Sequence, residues 1–328
     1  MNILVLGAAG MVGRKLVERL VRDGTLGGRR IERMTLFDVV APVAPEGVPF
    51  QVRVAAGDLS QPGQPERLVA DRPDTIFHLA AIVSGEAEAE FEKGYRINLD
   101  ATRALFEAIR HSNHGYTPKV VFTSSIAVFG APFPDEPIGD TFHRTPLTSY
   151  GTQKAIGELL LADYSRRGFF DGVGIRLPTI CVRPGRPNKA ASGFFSGIIR
   201  EPLNGQEAVL PVADTVRHWH ASPRAAVEFL IHAATIDTAP LGQRRSLTMP
   251  GLSVTVAEQI EALRRVAGDA VAARIRREPD PTVMRIVEGW PQRFSAKRAE
   301  EFGFRAEQSF DDIIRVYIED ELGGRVPA

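Results

Sequence analysis

Asn2-Ile3-Leu4-Val5-Leu6-Gly7-Ala8-Ala9-Gly10-Met11-Val12-Gly13 opens the chain and decides its fold. Residues 2–6 form a short, continuously apolar run rich in branched side chains, the pattern of a strand buried on both faces of a parallel sheet. After the glycines, Arg14-Lys15-Leu16-Val17-Glu18-Arg19-Leu20-Val21 reads as a helix. Strand, glycine turn and helix in this order suit a phosphate site. Glycines let the backbone approach a pyrophosphate, and the helix N-terminus offers N–H groups and the positive end of its dipole. The spacing is Gly-x-x-Gly-x-x-Gly rather than the commoner Gly-x-Gly-x-x-Gly. A glycine turn by itself serves equally well as a tight connection, so the flanking elements carry the argument.

Further strands follow at regular intervals. Met34-Thr35-Leu36-Phe37 ends on Asp38, whose carboxylate would accept hydrogen bonds from an adenosine ribose and repel a 2′-phosphate. Val39-Val40-Ala41-Pro42 offers no cation to such a phosphate, so NAD is expected rather than NADP. Residues 50–54 read as a third strand leading to Gly57-Asp58-Leu59, and residues 75–81 as a fourth ending in the small Ala80-Ala81. His78 is read as a packed strand-end histidine. Residues 86–111 read as one long helix, and residues 119–125 as a fifth strand ending in Ser124-Ser125. A sixth strand covers 172–177. The alternation implies an α/β fold, a doubly wound, Rossmann-like parallel sheet that binds ligands at the C-terminal ends of its strands. Two domains are expected, a dinucleotide-binding one over 1–178 and a smaller substrate-binding lobe over 179–328, with the chain free to cross back to the sheet.

Thr148-Ser149-Tyr150-Gly151-Thr152-Gln153-Lys154 is the stretch with chemistry in it. Thr148 or Ser149 suits an N-cap, and the apolar residues after it recur at helical spacing. Tyr150 and Lys154 then share a helix face at i and i+4. An ammonium close to a phenol favours the phenolate, a usable base. Alone, Tyr-x-x-x-Lys more often marks an ordinary surface helix.

Together these pieces resemble the extended short-chain dehydrogenases/reductases, a family that includes nucleotide-sugar epimerases and dehydratases. The resemblance rests on Gly7-x-x-Gly10-x-x-Gly13, Asp38, Asp58-Leu59, His78-Leu79-Ala80-Ala81, Asn98, Ser124-Ser125-x-x-Val128-Phe129-Gly130 and Tyr150-x-x-x-Lys154. It extends to Phe294-Ser295-Ala296-Lys297-Arg298-Ala299 and Phe302-Gly303-Phe304, so it covers nearly the whole chain. It implies Tyr150 as general acid/base, Lys154 as its partner and a ligand of the nicotinamide ribose, Ser125 on the substrate oxygen, and Asn98 supporting a relay water. For the cofactor it implies Gly7, Gly10, Met11, Val12, Gly13, Asp38, Asp58, Leu59, Leu79, Ala80, Ala81, Asn98, Tyr150, Lys154 and Pro178.

Past Leu177 the chain leaves the sugar-nucleotide pattern. It reads Arg176-Leu177-Pro178-Thr179, then Arg183-Pro184-Gly185-Arg186-Pro187-Asn188, and later Arg217-His218-Trp219-His220. These stretches resemble a subgroup that oxidises a four-carbon sugar acid. The expected reaction is NAD-dependent oxidation of the 2-hydroxyl of such an acid, D-erythronate. A nucleotide-sugar 4-epimerase or dehydratase with tightly held NAD is the alternative, and a silent NAD-binding regulator a third reading that the intact Ser125, Tyr150 and Lys154 disfavour. Arg183 and Arg217 are candidates to clamp the carboxylate, since guanidinium matches its two oxygens. With them the substrate positions become Ser84, Ser125, Tyr150, Thr179, Arg183, Asn188 and Arg217. His218 and His220 lack carboxylate or cysteine neighbours in sequence, so no metal is expected.

Composition sets the outer bounds. With 40 basic and 40 acidic residues and no basic run, nucleic acid is an unsuitable partner. The single cysteine, Cys181, excludes an internal disulfide and fits a reducing compartment. No apolar run approaches the ~18 residues of a membrane span, and the chain opens directly on a strand, so a cytoplasmic protein is expected. A homodimer is expected as well, from Leu105, Phe106, Ile109 and Leu159, Leu160, Leu161, read as apolar positions beyond those the sheet needs.

Overall fold

Seven strands lie in one sheet in the computed structural model, which describes residues 1–112, 114–185 and 192–326. They are β1 (Asn2–Leu6), β2 (Arg33–Asp38), β3 (Gln51–Ala56), β4 (Thr75–His78), β5 (Lys119–Ser125), β6 (Asp171–Leu177) and β7 (Ser246–Thr248). Their order across the sheet is β7-β6-β5-β4-β1-β2-β3. The register aligns Leu6 with Phe37 and His78, and His78 with Phe122, in parallel. The C-terminal ends of β1 to β4 therefore share one edge, and every expected cofactor residue up to Ala81 lies at or just after one of those ends. The doubly wound α/β fold stands as expected.

The chain divides into two compact units that interleave in sequence. The first holds Met1–Val128, Thr148–Arg176 and Val227–Leu247; the second holds Phe129–Leu147, Leu177–Ala226 and Thr248–Ala328. In the first, Leu4, Leu6, Phe37, Ile76, Val120 and Phe122 of the strands belong to one apolar cluster with helix residues. The helices that matter here are α1 (Met11–Asp23), α2 (Ser84–Ala89), α3 (Phe91–Gly94), α4 (Ala101–His111) and α5 (Ser149–Arg166).

Two expectations need correcting. Residues 86–111 are not one unbroken α-helix: α2 stops at Glu90, and from Phe91 to His111 the chain stays helical throughout, with Tyr95–Asp100 between α3 and α4 a π-helical turn. Such a turn carries one extra residue per loop of backbone and is common at functional sites. Asn98 lies in it, with its side-chain amide bonded to Ile82 and Gln153. Nor are most of the six apolar positions left over. Leu105, Phe106, Ile109 and Leu161 are fully buried in the first unit's cluster, whereas Leu159 is 54% exposed.

In the second unit, Thr179–Ile180, Arg217–Ala221 and Leu252–Thr255 form a small sheet, with Arg217 opposite Thr255 and His220 beside Thr179. Phe195, Ile198, Leu263 and Ile314 are in its core. The helix Val256–Ala267 starts on a capping box between Thr255 and Glu258, and Phe310–Glu321 is capped by Ser309.

Candidate active site

The glycine turn is shaped by backbone contact. Gly7 has φ +88°, and a Cβ there would meet the Ala80 nitrogen at 2.7 Å; a Cβ on Gly13 would overlap the Gly7 carbonyl oxygen. Only glycine allows β1, β4 and α1 to meet this closely. Gly10 is the N-cap of α1 and lends it no side-chain cap, so the first N–H groups of that helix are not taken by a side-chain cap. This cradle fits a dinucleotide pyrophosphate on an uncapped helix N-terminus. Met11 and Val12 lie in its first turn.

Asp38 ends β2 with Oδ2 accepting from the Ala9 N–H at 2.9 Å and Oδ1 from the Val39 N–H at 2.7 Å. Its remaining lone pairs suit ribose hydroxyls. The Asp58 carboxylate accepts from the Ser60 N–H and hydroxyl on Oδ1 and from Arg96 at 2.8 Å on Oδ2. Burial opposes ionisation of Asp58, but these donors outweigh it and hold the carboxyl below its usual range. Arg96 is a member of this corner that the sequence reading missed. Leu59 is buried beside it in sequence, and Leu79 extends β4 by donating to the Leu6 carbonyl.

Thr148 caps α5 by accepting from the Gly151 N–H at 3.1 Å, which sets Tyr150 and Lys154 in its first turns. Lys154 is 2% exposed and donates to the Thr123 carbonyl at 2.8 Å. Its ammonium lies 5.7 Å from the centre of the Tyr150 ring. Burial pushes its pKa down to about 8, against the opposing pull of Glu158. Ser125 ends β5, and its Oγ accepts from the Ala127 N–H at 3.1 Å. The Asn98 Oδ1 accepts from the Ile82 N–H at 2.9 Å, and its Nδ2 donates to the Ile82 carbonyl and to Gln153 Oε1. The Ile82 N–H fixes which end of the amide is oxygen, so Asn98 ties the π-helical turn to α5. Ser84 begins α2, shortly after Ala81 and Ile82.

Behind this group, Arg176 on β6 grips Glu158 of α5 through Nε and a terminal nitrogen, both at 2.9 Å, and Ser124 donates to the same carboxylate at 2.6 Å. Sequence reasoning passed over Gln153, Glu158 and Arg176. The signal was present: Arg176 interrupts the apolar strand Val173-Gly174-Ile175, and a charge there requires a partner. His78 is packed as expected. Burial, with Lys154 nearby, pushes its pKa down to about 3, and its Nε2 donates to Thr102, whose hydroxyl is spent on the Asn98 carbonyl.

In the second unit, Arg217 donates to the Ser253 carbonyl at 2.7 Å and lies 3.3 Å from the Glu258 carboxylate. Arg183 donates from Nε to the Ile180 carbonyl and from a terminal nitrogen to Ser192. The Thr179 hydroxyl is 2.7 Å from His218 Nε2, while His218 Nδ1 faces the Pro291 carbonyl. Pro178 precedes Thr179 in the link from β6, and Asn188 lies outside the described residues. A cavity of about 570 Å³ sits at the other edge of the first unit's sheet, where Asp74, Lys119 and Asp171 mark strand starts. Arg29 pairs there with Asp74 and Lys119 with Asp171, Arg72 lies over the Tyr116 ring, and the cavity holds none of the expected residues.

Residues 3–231 match the model of the NAD dependent epimerase/dehydratase family. The chain belongs to that family. It is 52% identical over 324 residues to a D-erythronate dehydrogenase of Cupriavidus necator, covering 98% of each chain. It is 42% identical to a D-erythronate dehydrogenase of Haemophilus influenzae, over 98% of this chain and 100% of the relative. A crystal structure from Agrobacterium tumefaciens, described as a nucleoside-diphosphate-sugar epimerase, superposes with a TM-score of 0.98 at 68% identity, covering 100% of this chain and 96% of the other. Among the described residues no helix is long and apolar enough to cross a membrane.

Proposed function

We propose that this chain is an NAD-dependent dehydrogenase that oxidises the 2-hydroxyl of D-erythronate to the 2-oxo acid. The observation that carries the reading is full-length similarity to two relatives of that name, joined to Ser125, Tyr150 and Lys154 on the strand end and helix that the chemistry needs. Bound NAD supplies the hydride acceptor. Tyr150 takes the hydroxyl proton, Ser125 orients that hydroxyl, and the Lys154 ammonium favours the phenolate form of Tyr150. Asn98 holds the π-helical turn against α5. The glycine turn, Asp38, Asp58 and Leu59 receive the adenosine diphosphate half of the cofactor.

An arginine holds the substrate carboxylate. Arg217 and Arg183 are the candidates: at Arg217 that carboxylate would compete with Glu258, at Arg183 with the Ile180 carbonyl and Ser192, and Thr179 offers a hydroxyl. The same Glu258 disfavours a nucleotide diphosphate beside Arg217, which argues against the sugar-nucleotide reading that the Agrobacterium relative's description favours. A panel of four-carbon aldonates and UDP-sugars, followed by NADH absorbance and by sugar analysis, separates the two. Reduction of NAD with D-erythronate is the expected result; interconversion of UDP-sugars with every acid inert rejects the reading. A cytoplasmic homodimer completes the proposal, with exposed Leu159 on α5 now its apolar feature. A monomer at micromolar concentration by light scattering rejects that state.

A further inference from the structure

Glu158 stands one helical turn beyond Lys154, the spacing at which a carboxylate and an ammonium pair on an isolated helix. Here both oxygens of Glu158 are engaged by Arg176, one of them also by Ser124, while Lys154 donates to the Thr123 carbonyl. Glu158 and Arg176 have side chains 0% and 4% exposed, so a bidentate ion pair has been sunk into the first unit beside the reactive residues. Removing two charges from water costs more than a surface pair returns, and a pair kept in that position calls for a use.

The charges around Lys154 can be named element by element. From β4 comes His78, which burial keeps neutral. From β5 come the Thr123 carbonyl, the Phe122 ring 5.0 Å from the ammonium, and the Ser124 hydroxyl on Glu158. From β6 comes Arg176, and α5 itself supplies Tyr150 and Glu158. Lys154, Glu158 and Arg176 sum to one positive charge, which a phenolate at Tyr150 would balance. Were Glu158 to capture Lys154, that balance would be lost.

We propose that Glu158 and Arg176 are positioning residues for the Tyr150–Lys154 pair: Arg176 holds the carboxylate against β6, near enough to keep Lys154 ionised but not free to take its ammonium away from Tyr150. The inference rests on Tyr150 and Lys154 being the reactive pair, and it concerns how their charge is set rather than which substrate they serve.

The chain has six lysines, so their side-chain carbons can be followed individually by NMR in isotopically labelled protein, with Lys154 assigned by its absence in Lys154→Met. Glu158→Gln removes the charge and keeps the shape. It should lower the Lys154 titration midpoint by about half a pH unit or more. It should also weaken NAD binding at pH 8, measured by calorimetry, roughly threefold or more. Arg176→Met frees Glu158, so the midpoint should rise while NAD binding at pH 7 weakens. Glu158→Leu with Arg176→Met removes both buried charges, a replacement that folded proteins commonly tolerate. That double variant should still lower the midpoint, by less than Glu158→Gln does because the guanidinium's opposing charge goes with the carboxylate, and it decides the matter if the single variants unfold. A Lys154 midpoint within about 0.2 units of wild type in the double variant overturns the proposal. Because the readouts are the lysine and the cofactor, this result is independent of whether D-erythronate is the substrate.

Discussion

Each compact unit buries a polar cluster, and the two clusters are built on opposite principles. In the first unit Lys154, Glu158 and Arg176 are almost wholly buried and form a chain of charges. In the second, His218, His220 and Gln259 are equally buried and all neutral. Burial pushes His218 down to about 4 against the pull of the Pro291 carbonyl, and His220 well below its ordinary value. Phe195 stacks on His218 at 5.3 Å and meets His220 edge-on at 4.7 Å, so the imidazoles serve as flat packing groups with a hydrogen bond at the rim. A neutral buried ring needs only a partner for its N–H. A buried ammonium carries a standing penalty that tertiary packing must offset. Such penalties gather where chemistry needs a charge, and here that is the unit with Tyr150.

The comparison breaks most sharply at Tyr150. Tyr150→Phe removes the phenolic hydroxyl and with it the transferable proton, so turnover should fall ~100- to 10,000-fold with NAD affinity and thermal stability nearly unchanged. A variant that keeps more than about a tenth of the wild-type rate would move the base elsewhere. The proposed carboxylate site tests the second unit. Arg183→Ala should raise KM for the acid roughly tenfold or more, with NAD affinity unaltered, through loss of charge-assisted hydrogen bonds. Arg217→Ala should have a smaller effect because Glu258 already offsets part of its charge; equal losses would show the two arginines sharing the carboxylate. Asp38→Ala removes an acceptor for ribose and the support of the Ala9 N–H. It should shift the NAD over NADP preference by roughly fivefold, the size of one ordinary hydrogen bond. An unmoved preference would place Asp38 outside the adenosine site.

The glycine turn and the strands were legible because both leave a periodic signature: continuous apolar runs for doubly covered strands, and glycines wherever a Cβ has no room. Thr148 and the Tyr150–Lys154 face were legible for the same reason, being local. The π-helical turn around Asn98 was not. It preserves the apolar spacing on either side and differs only in one extra backbone residue, and the Ile82 backbone that Asn98 binds lies sixteen positions away. The Glu158–Arg176 pair joins a helix to a strand eighteen positions on, and no local spacing predicts such a contact. Leu105, Phe106 and Ile109 looked surplus because sequence does not show how much of a helix the core covers; all three are buried.

The smallest effect is the most direct test of the buried charge. In the folded protein burial pushes the Lys154 pKa down to about 8, against about 10.4 in an unfolded chain, a penalty of a few kcal/mol, roughly 3, at neutral pH. Lys154→Met removes that penalty but leaves the Thr123 carbonyl without its donor, which takes back about 2 kcal/mol. The variant should therefore be inactive yet more stable by about 1 kcal/mol, a shift of a few degrees in Tm. The sign with pH follows from proton counts. Well below pH 8 both folded and unfolded wild type hold the proton, so the variant's advantage is constant there. As pH rises from 8 the folded protein releases its proton before the unfolded chain does. Wild-type stability from this group therefore increases with pH, and the variant's advantage shrinks and then reverses. Tm measured for both proteins at about pH 7 and about pH 9.5 reads this directly. A difference of the same size at both values would mean that the Lys154 ammonium is solvated in solution, and the contrast between the two buried clusters would lose its charged member.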